Sequence, residues 1–280
     1  MNKTNSITHP VGVFDSGVGG LSVLRCMREE LPGEDFIYVA DSGFAPYGDK
    51  SSEFIEKRSF AISRFLVERN AKAVVVACNT ATAAAIANMR SAFDLPIIGM
   101  EPGVKPAIAE TQCKTVGIMA TTETLKSEKF RLLTGRFCNE CNIITQACPG
   151  LVEQVERVDL GGSKTRALVE RYVNSILSKG ADIIVLGCTH YLFLADLIRE
   201  TAGRNVKVID TGVAVAKEVR RRLEAAGIVS DADKTGSESF WTSGNVINTG
   251  RIIKQLWNEN AVVNPLPAEY MIDLKSVISG

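Results

Sequence analysis

The sequence is short of net charge, of long apolar runs and of histidine, and each shortage removes a class of function. With 32 basic and 32 acidic residues, the formal net charge is zero. A neutral chain has no electrostatic footprint for nucleic acid or for an anionic membrane, so neither is expected as a partner. No uninterrupted apolar stretch reaches the roughly 18 residues of a membrane helix. The richest run, Ala73 to Ala87, is broken by Asn79, Thr80 and Thr82. Met1 to Pro10 is polar and lacks an apolar signal segment, so a cytoplasmic location is expected. Only two histidines occur, His9 and His190. The Cys138-x-x-Cys141 pair with Cys148 therefore lacks the second cluster or nearby histidine that a four-ligand zinc site needs, and no metal is expected.

What remains is an ordinary globular composition over 280 residues, 45% hydrophobic and 23% charged. That length fits two modest α/β domains or one large one. Without an export signal, the seven cysteines read as free thiols. Short β-branched runs alternate with helical patterns, the signature of an α/β fold with mainly parallel sheets flanked by helices. The strand-like runs are Val11–Asp15, Phe36–Ala40, Ala73–Ala77, Leu95–Gly99, Thr115–Ala120, Ile143–Gln146, Asp182–Gly187 and Val206–Asp210.

The chain also resembles itself. V-G-V-F-D-S-G at Val11 resembles V-G-I-M-A-T-T at Val116, V-V-V-A-C-N-T at Val74 resembles I-V-L-G-C-T-H at Ile184, and the strand Leu95–Gly99 corresponds to Val206–Asp210, at offsets of roughly 105 to 111 residues. Two pseudosymmetric domains follow: residues 1–98 with about 212–280, and residues 99–211. A helix is expected over Ala214 to Ala225, then a polar loop from Ser230 to Asn245, with the tail packing back on the first domain.

Ligands of parallel α/β sheets sit at the carboxyl ends of strands, where helix N-termini offer free N–H groups. Cys78 and Cys188 both fall there, ahead of helical stretches expected over Ala81 to Arg90 and Tyr191 to Glu200. A helix N-terminus should lower each thiol's pKa. Asn79, Thr80 and Thr189 add polar groups beside them, and His190 follows directly. Asp15-Ser16-Gly17-Val18-Gly19-Gly20 lies at the same edge. It is not a G-x-G-x-x-G loop, because Ser22 takes the third glycine's place, and no Gly-Lys-Ser/Thr motif occurs. Asp15 would repel phosphate and suit a substrate ammonium; the alternative is that it merely caps a helix starting near Gly20. Pro46-Tyr47-Gly48 reads as a turn.

VGVFDSGVGGLSVL, DSGFAPYG, VVVACNTATA, GIMATTETLKS, CPGLVEQVE and LGCTHY, in this order from about Val11 to about Ala225, resemble the glutamate racemase family. The resemblance implies a two-domain enzyme using neither metal nor pyridoxal phosphate, acting on glutamate and supplying D-glutamate for peptidoglycan, with a homodimer possible in the family. It implies that Cys78 and Cys188 are the catalytic cysteines, with Asp15, Glu156 and His190 as supporting acid–base groups. Substrate contacts fall on Asp15, Ser16, Pro46, Tyr47, Gly48, Asn79, Thr80, Thr121, Thr189 and His190. Glu156, eight residues after Cys148, takes the family's glutamate position in preference to Glu153. Leu192 departs from the usual proline after C-T-H-Y.

Racemisation takes a proton from one face of Cα and returns one to the other, which two opposed thiols accomplish without turning the substrate. The resemblance makes Cys188 the base and Cys78 the acid in the L-to-D direction. It pairs Asp15 with Cys78, and His190 and Glu156 with Cys188. Three rivals remain at this stage. An aspartate or hydantoin racemase generally lacks the D-S-G-x-G-G start, a Cys188–His190 hydrolase leaves Cys78 idle, and a noncatalytic amino-acid-binding module needs no thiols.

Overall fold

The computed structural model describes residues 7–231 and 234–271. Every strand pairing among them is parallel. The strands are β1 (Val11–Asp15), β2 (Phe36–Ala40), β3 (Ala73–Val76), β4 (Ile97–Gly99), β5 (Thr115–Ala120), β6 (Asn142–Ala147), β7 (Ile183–Leu186), β8 (Lys207–Ile209), β9 (Glu238–Thr242) and β10 (Val263–Pro265). They form a six-stranded sheet ordered β10-β9-β2-β1-β3-β4 and a four-stranded sheet ordered β6-β5-β7-β8. The run β2-β1-β3-β4 and the run β6-β5-β7-β8 share one order, so the internal sequence match has a structural counterpart.

The central strands read as continuous apolar runs because helices cover both sheet faces. All residues of β1, β2, β3 and β7 are buried. The margins differ: β6 is largely exposed or half-buried. Pro265 ends the edge strand β10, where a missing N–H donor is tolerated. One apolar cluster runs through both halves of the molecule, from Leu24 and Phe36 to Ile176, Tyr191 and Leu223. A second lies under the outer face of the larger sheet (Phe65, Ile86), and a third under that of the smaller (Val104, Phe130).

The stretch expected as a polar loop, Ser230 to Asn245, holds a strand. β9 pairs with β2, and its aromatic residues supply the reason. Phe240 packs on Tyr38 at 6.2 Å and on Trp257 at 6.0 Å, while Trp241 meets Phe65 edge-on at 5.1 Å. Its polar start is held by an ion pair between Glu238 and Arg28. Residues 232 and 233 of that stretch, and residues 1–6 and 272–280 of the expected first domain, lie outside the described residues. The helix Gly212–Ala226 covers the expected span and packs against the helix Leu21–Glu30, where Arg220 reaches Glu30. No helix among the described residues is long and apolar enough to cross a membrane.

Gly117 in β5 shows how closely helix and sheet meet. A Cβ there would lie 2.1 Å from Ile176 Cγ2, on the helix Ser163–Leu177. Gly117→Ala is therefore expected to cost about 1–3 kcal/mol through overpacking, read as a lower urea midpoint. An unchanged midpoint would show that this helix can slide.

Candidate active site

In each sheet the connection reverses direction beside the central strand, and the carboxyl ends there form the crevice where α/β folds bind ligands. Asp15 is the last residue of β1, and Cys78 follows β3 by two residues. Thr121 follows β5, and Cys188 follows β7 by two. The two cysteines share one backbone conformation, with φ −144° and ψ 121° at Cys78 and φ −147° and ψ 135° at Cys188. Cys78 caps the helix Asn79–Ala92, its sulfur accepting from Ala81 N at 3.4 Å.

The turn after Cys188 is wound more tightly than expected. Thr189–Leu194 is a 3-10 turn, and the α-helix runs only over Ala195–Ala202. Consecutive residues of that turn serve three different partners. Thr189 Oγ1 donates to Asp15 Oδ2 at 3.3 Å, His190 Nε2 lies 2.7 Å from Glu156 Oε1, and Tyr191 donates to Cys148 O at 3.3 Å. Leu192 packs where the chain passes Gly212.

Asp15, Cys78, Cys188 and His190 are all buried. Asp15 Oδ1 accepts from Ser16 N at 2.7 Å and Ser16 Oγ at 3.2 Å, and Oδ2 accepts from Gly20 N at 2.6 Å. Asp15 thus holds the N–H of Gly20, the residue that precedes the helix Leu21–Glu30, and receives no helix amide beyond it among the described residues, while the same carboxyl faces His190 and Thr189. Burial raises its pKa, and the neighbouring His190, Cys78 and Gly20 only partly offset that.

His190 Nδ1 lies 3.9 Å from the Cys188 sulfur and 3.9 Å from Asp15 Oδ2. Burial alone would favour its neutral form. The hydrogen bonds to Cys188 and Glu156 and the charges of Asp15 and Glu156 outweigh burial, and its pKa stands well above the usual histidine range. Cys78 departs from expectation in the other direction. Burial pushes its thiol well above the usual cysteine range, the Asp15 charge adds to this, and the Ala81 amide opposes both and loses. Helix N-terminus stabilisation is a surface-scale effect, whereas complete desolvation of a thiolate is larger.

The glycines of the Asp15 loop are needed for close approach. A Cβ on Gly17 would lie 1.9 Å from Glu156 Oε1, and one on Gly19 would lie 2.2 Å from His190 Nδ1. Across the crevice, the hydroxyls of Thr80, Thr121 and Thr124 form a triangle with sides of 2.9, 3.1 and 2.9 Å. Gly48 abuts Thr121. Asn79 is buried, and neither its amide nitrogen nor its amide oxygen has a hydrogen-bond partner among the described residues. Such an amide is suited to a ligand carboxylate or ammonium.

The expected residues thus converge, apart from one side chain. The Tyr47 hydroxyl is buried and donates to Asp41 Oδ2 at 2.5 Å, so it is committed inside the protein. Asp41 is held by Arg58, Nη2 to Oδ1 at 2.7 Å and Nε to Oδ2 at 3.0 Å, and Arg58 Nη1 donates to Tyr270 O. Sequence reasoning missed Asp41, Arg58, Thr124 and Val18, whose N–H donates to Glu156 Oε1 at 2.8 Å. A signal existed for Asp41, in the D-S-G at Asp41 that echoes D-S-G at Asp15. Cys138 is exposed, while Cys141 and Cys148 are buried with sulfurs on the carbonyls of Asn142 and Gln146.

Comparison with known proteins finds one family and its relatives. The Asp/Glu/hydantoin racemase family matches residues 11–219. A protein of Methylococcus capsulatus named glutamate racemase is 56% identical over 262 residues, covering 94% of this chain and 97% of that one. A glutamate racemase isoform of Bacillus anthracis superposes with a TM-score of 0.85 at 30% identity, covering 94% of this chain and 99% of the other. The Escherichia coli glutamate racemase, solved with L-glutamate and the activator UDP-MurNAc-Ala, gives 0.82 at 32% identity, covering 92% and 98%.

The buried Asp41–Arg58 pair carries the Tyr47 loop. Arg58→Met should cost about 3–5 kcal/mol, because it leaves a buried carboxylate without its cation. Adding Asp41→Asn to that variant should restore part of the loss. Urea midpoints of the single and double variants check this, and equal destabilisation by both would place the cost in packing.

Proposed function

The chain belongs to the Asp/Glu/hydantoin racemase family, and from that premise we propose that it interconverts L- and D-glutamate, with Cys78 and Cys188 exchanging protons on opposite faces of Cα. The observation that carries the reading is the pair of buried thiols at equivalent strand ends of two like-ordered sheets. Each has its own acid–base company, Asp15 beside Cys78 and His190 with Glu156 beside Cys188.

In the L-to-D direction the Cys188 thiolate takes the Cα proton, and the C–H pair passes into the carbanion and its carboxylate. The Cys78 S–H then delivers its proton to the opposite face, leaving Cys78 as thiolate and Cys188 as thiol, ready for D-glutamate. Burial keeps the Cys78 thiol protonated, and the His190 cation sits 3.9 Å from the Cys188 sulfur. Asn79, Thr80, Thr121 and Thr189 receive the substrate's carboxylates in this proposal, with the backbone at Pro46, Tyr47 and Gly48. Ser16 and Asp15 lie near the ammonium. Donors fixed before the reaction spread carbanion charge without reorganising.

The division into domains of residues 1–98 with 212–280 and residues 99–211 belongs to the same proposal, supported by the make-up of the two sheets. So do a cofactor-independent reaction, a cytoplasmic location, D-glutamate supply for peptidoglycan and a homodimer. A Cys188–His190 hydrolase leaves Cys78 and Asp15 without a task. Glutamate is preferred over aspartate because the similar proteins carry the glutamate racemase name.

In deuterated water, L-glutamate should give D-glutamate carrying deuterium at Cα while the remaining L pool stays protiated early on. Cys78→Ser and Cys188→Ser should each reduce racemisation by on the order of 10²–10⁴-fold or more with the fold retained. Turnover should survive dialysis against EDTA and should be well above that with aspartate. Near-normal racemisation by Cys78→Ser would overturn the opposed-thiol mechanism and favour the hydrolase.

A further inference from the structure

We propose that Gly17 and the backbone N–H of Val18 form a latch between the two halves of the molecule, positioning Glu156 and, through it, His190. The inference rests on the acid–base reading of His190 given above.

Glu156 ends the helix Leu151–Glu156. One of its oxygens, Oε1, meets two groups, Val18 N at 2.8 Å from the β1 loop and His190 Nε2 at 2.7 Å. The side chain is otherwise loosely enclosed. It is 19% exposed and borders a cavity of about 250 Å³ alongside Ser42, Pro46, Asn248 and Ile252. A carboxylate with open space on one side has other rotamers available, and two donors converging on one oxygen select a single one.

Gly17 makes that convergence possible. Its backbone is not in the left-handed region that favours glycine, so conformation alone would admit other residues. What a side chain here would displace is the Glu156 carboxylate. The three heavy atoms nearest to a Cβ at this position would be Glu156 Oε1 at 1.9 Å, Cδ at 2.9 Å and Oε2 at 3.4 Å. The glycine is therefore a complement to one carboxylate on the facing element. Because Val18 and Glu156 lie 138 residues apart in sequence, the contact exists only while the Asp15 loop and the Leu151–Glu156 helix are together. His190 thus receives its full complement of negative partners only in the assembled crevice.

The charged and titratable groups facing His190 are Glu156 at Nε2, Asp15 and Cys188 at Nδ1, with Cys78 beyond Asp15. Of these, the latch controls Glu156 alone. Gly17 and Val18 are positioning residues, since neither needs to touch the reacting atoms.

A double-mutant cycle separates this from a general disturbance of the loop. Glu156→Ala should lower kcat/KM by on the order of 100-fold. Gly17→Ala should lower it by roughly ten-fold or more by displacing the carboxylate, and Gly17→Ala with Glu156→Ala should be no worse than Glu156→Ala alone. The limb of the pH profile on which activity falls as His190 loses its proton should move to lower pH in Gly17→Ala, because the cation loses a carboxylate partner. The shorter carboxylate of Glu156→Asp, added to Gly17→Ala, should recover part of the loss and keeps the test informative should Gly17→Ala fold poorly. An equal cost of Gly17→Ala in the presence and absence of Glu156, or an unmoved limb, would overturn the latch while leaving the racemase reading intact. Full turnover by Glu156→Ala would overturn both the latch and the role given to Glu156.

Discussion

A row of three charged groups, Asp15, His190 and Glu156, runs through the crevice with Asp15 and His190 out of water. Burying an unpaired ion costs several kcal/mol, so each member needs compensation. The imidazole lies between two carboxylates, and Asp15 accepts from the Ser16 and Gly20 amides and from the Ser16 and Thr189 hydroxyls. Those amides belong to a loop that must pass within contact distance of Glu156 and His190, and glycine at 17 and 19 allows it. The D-S-G-V-G-G segment is the chain's solution to holding these charges together, and the tight turn after Cys188 supplies the other side.

The two halves repeat a strand order but not an electrostatic environment. Cys78 is raised by burial and by Asp15, whereas Cys188 faces a histidine that its neighbours keep cationic. On the proposed mechanism this asymmetry is tolerable, because the enzyme must pass through both protonation forms in every cycle of interconversion. A bias toward one free form sets which enantiomer finds its partner ready; it leaves the overall equilibrium between enantiomers untouched. Matched backbone at the two cysteines places the sulfurs, and the neighbours around them are unmatched.

Most of the frame was legible because it depends on local patterns. Continuous apolar runs marked β1, β2, β3 and β7, and a strand end marked Cys78, Cys188 and Asp15. What escaped depends on tertiary partners. Arg58 sits on the helix Ser52–Glu68, where an arginine reads as a solvated face, yet it is buried against Asp41 and the Phe44 ring. β9 begins with Glu238 and Ser239, which look like loop until β2 aligns beside them. The thiol of Cys78 was misjudged because sequence shows the helix start and hides the depth of burial. Glu156 was placed by resemblance alone, for no spacing argument connects it with Val18 or His190.

The departure from a nucleotide-binding loop has its own physical account. In such loops the glycine-rich turn leaves several amides free for phosphate. Here the turn spends them internally: Ser16 N and Gly20 N on Asp15, and Val18 N on Glu156. Ser22, in the third glycine's place, sets its hydroxyl 2.7 Å from Gly19 O and 3.2 Å from Thr189 O, binding the loop's own turn and the facing one. A phosphate would meet the Asp15 and Glu156 carboxylates where it needs donors. The same strand–turn–helix geometry that elsewhere receives an anion from outside holds protein anions in place here, and the donors left uncommitted at Asn79 lie at the neighbouring strand end, beside Cys78.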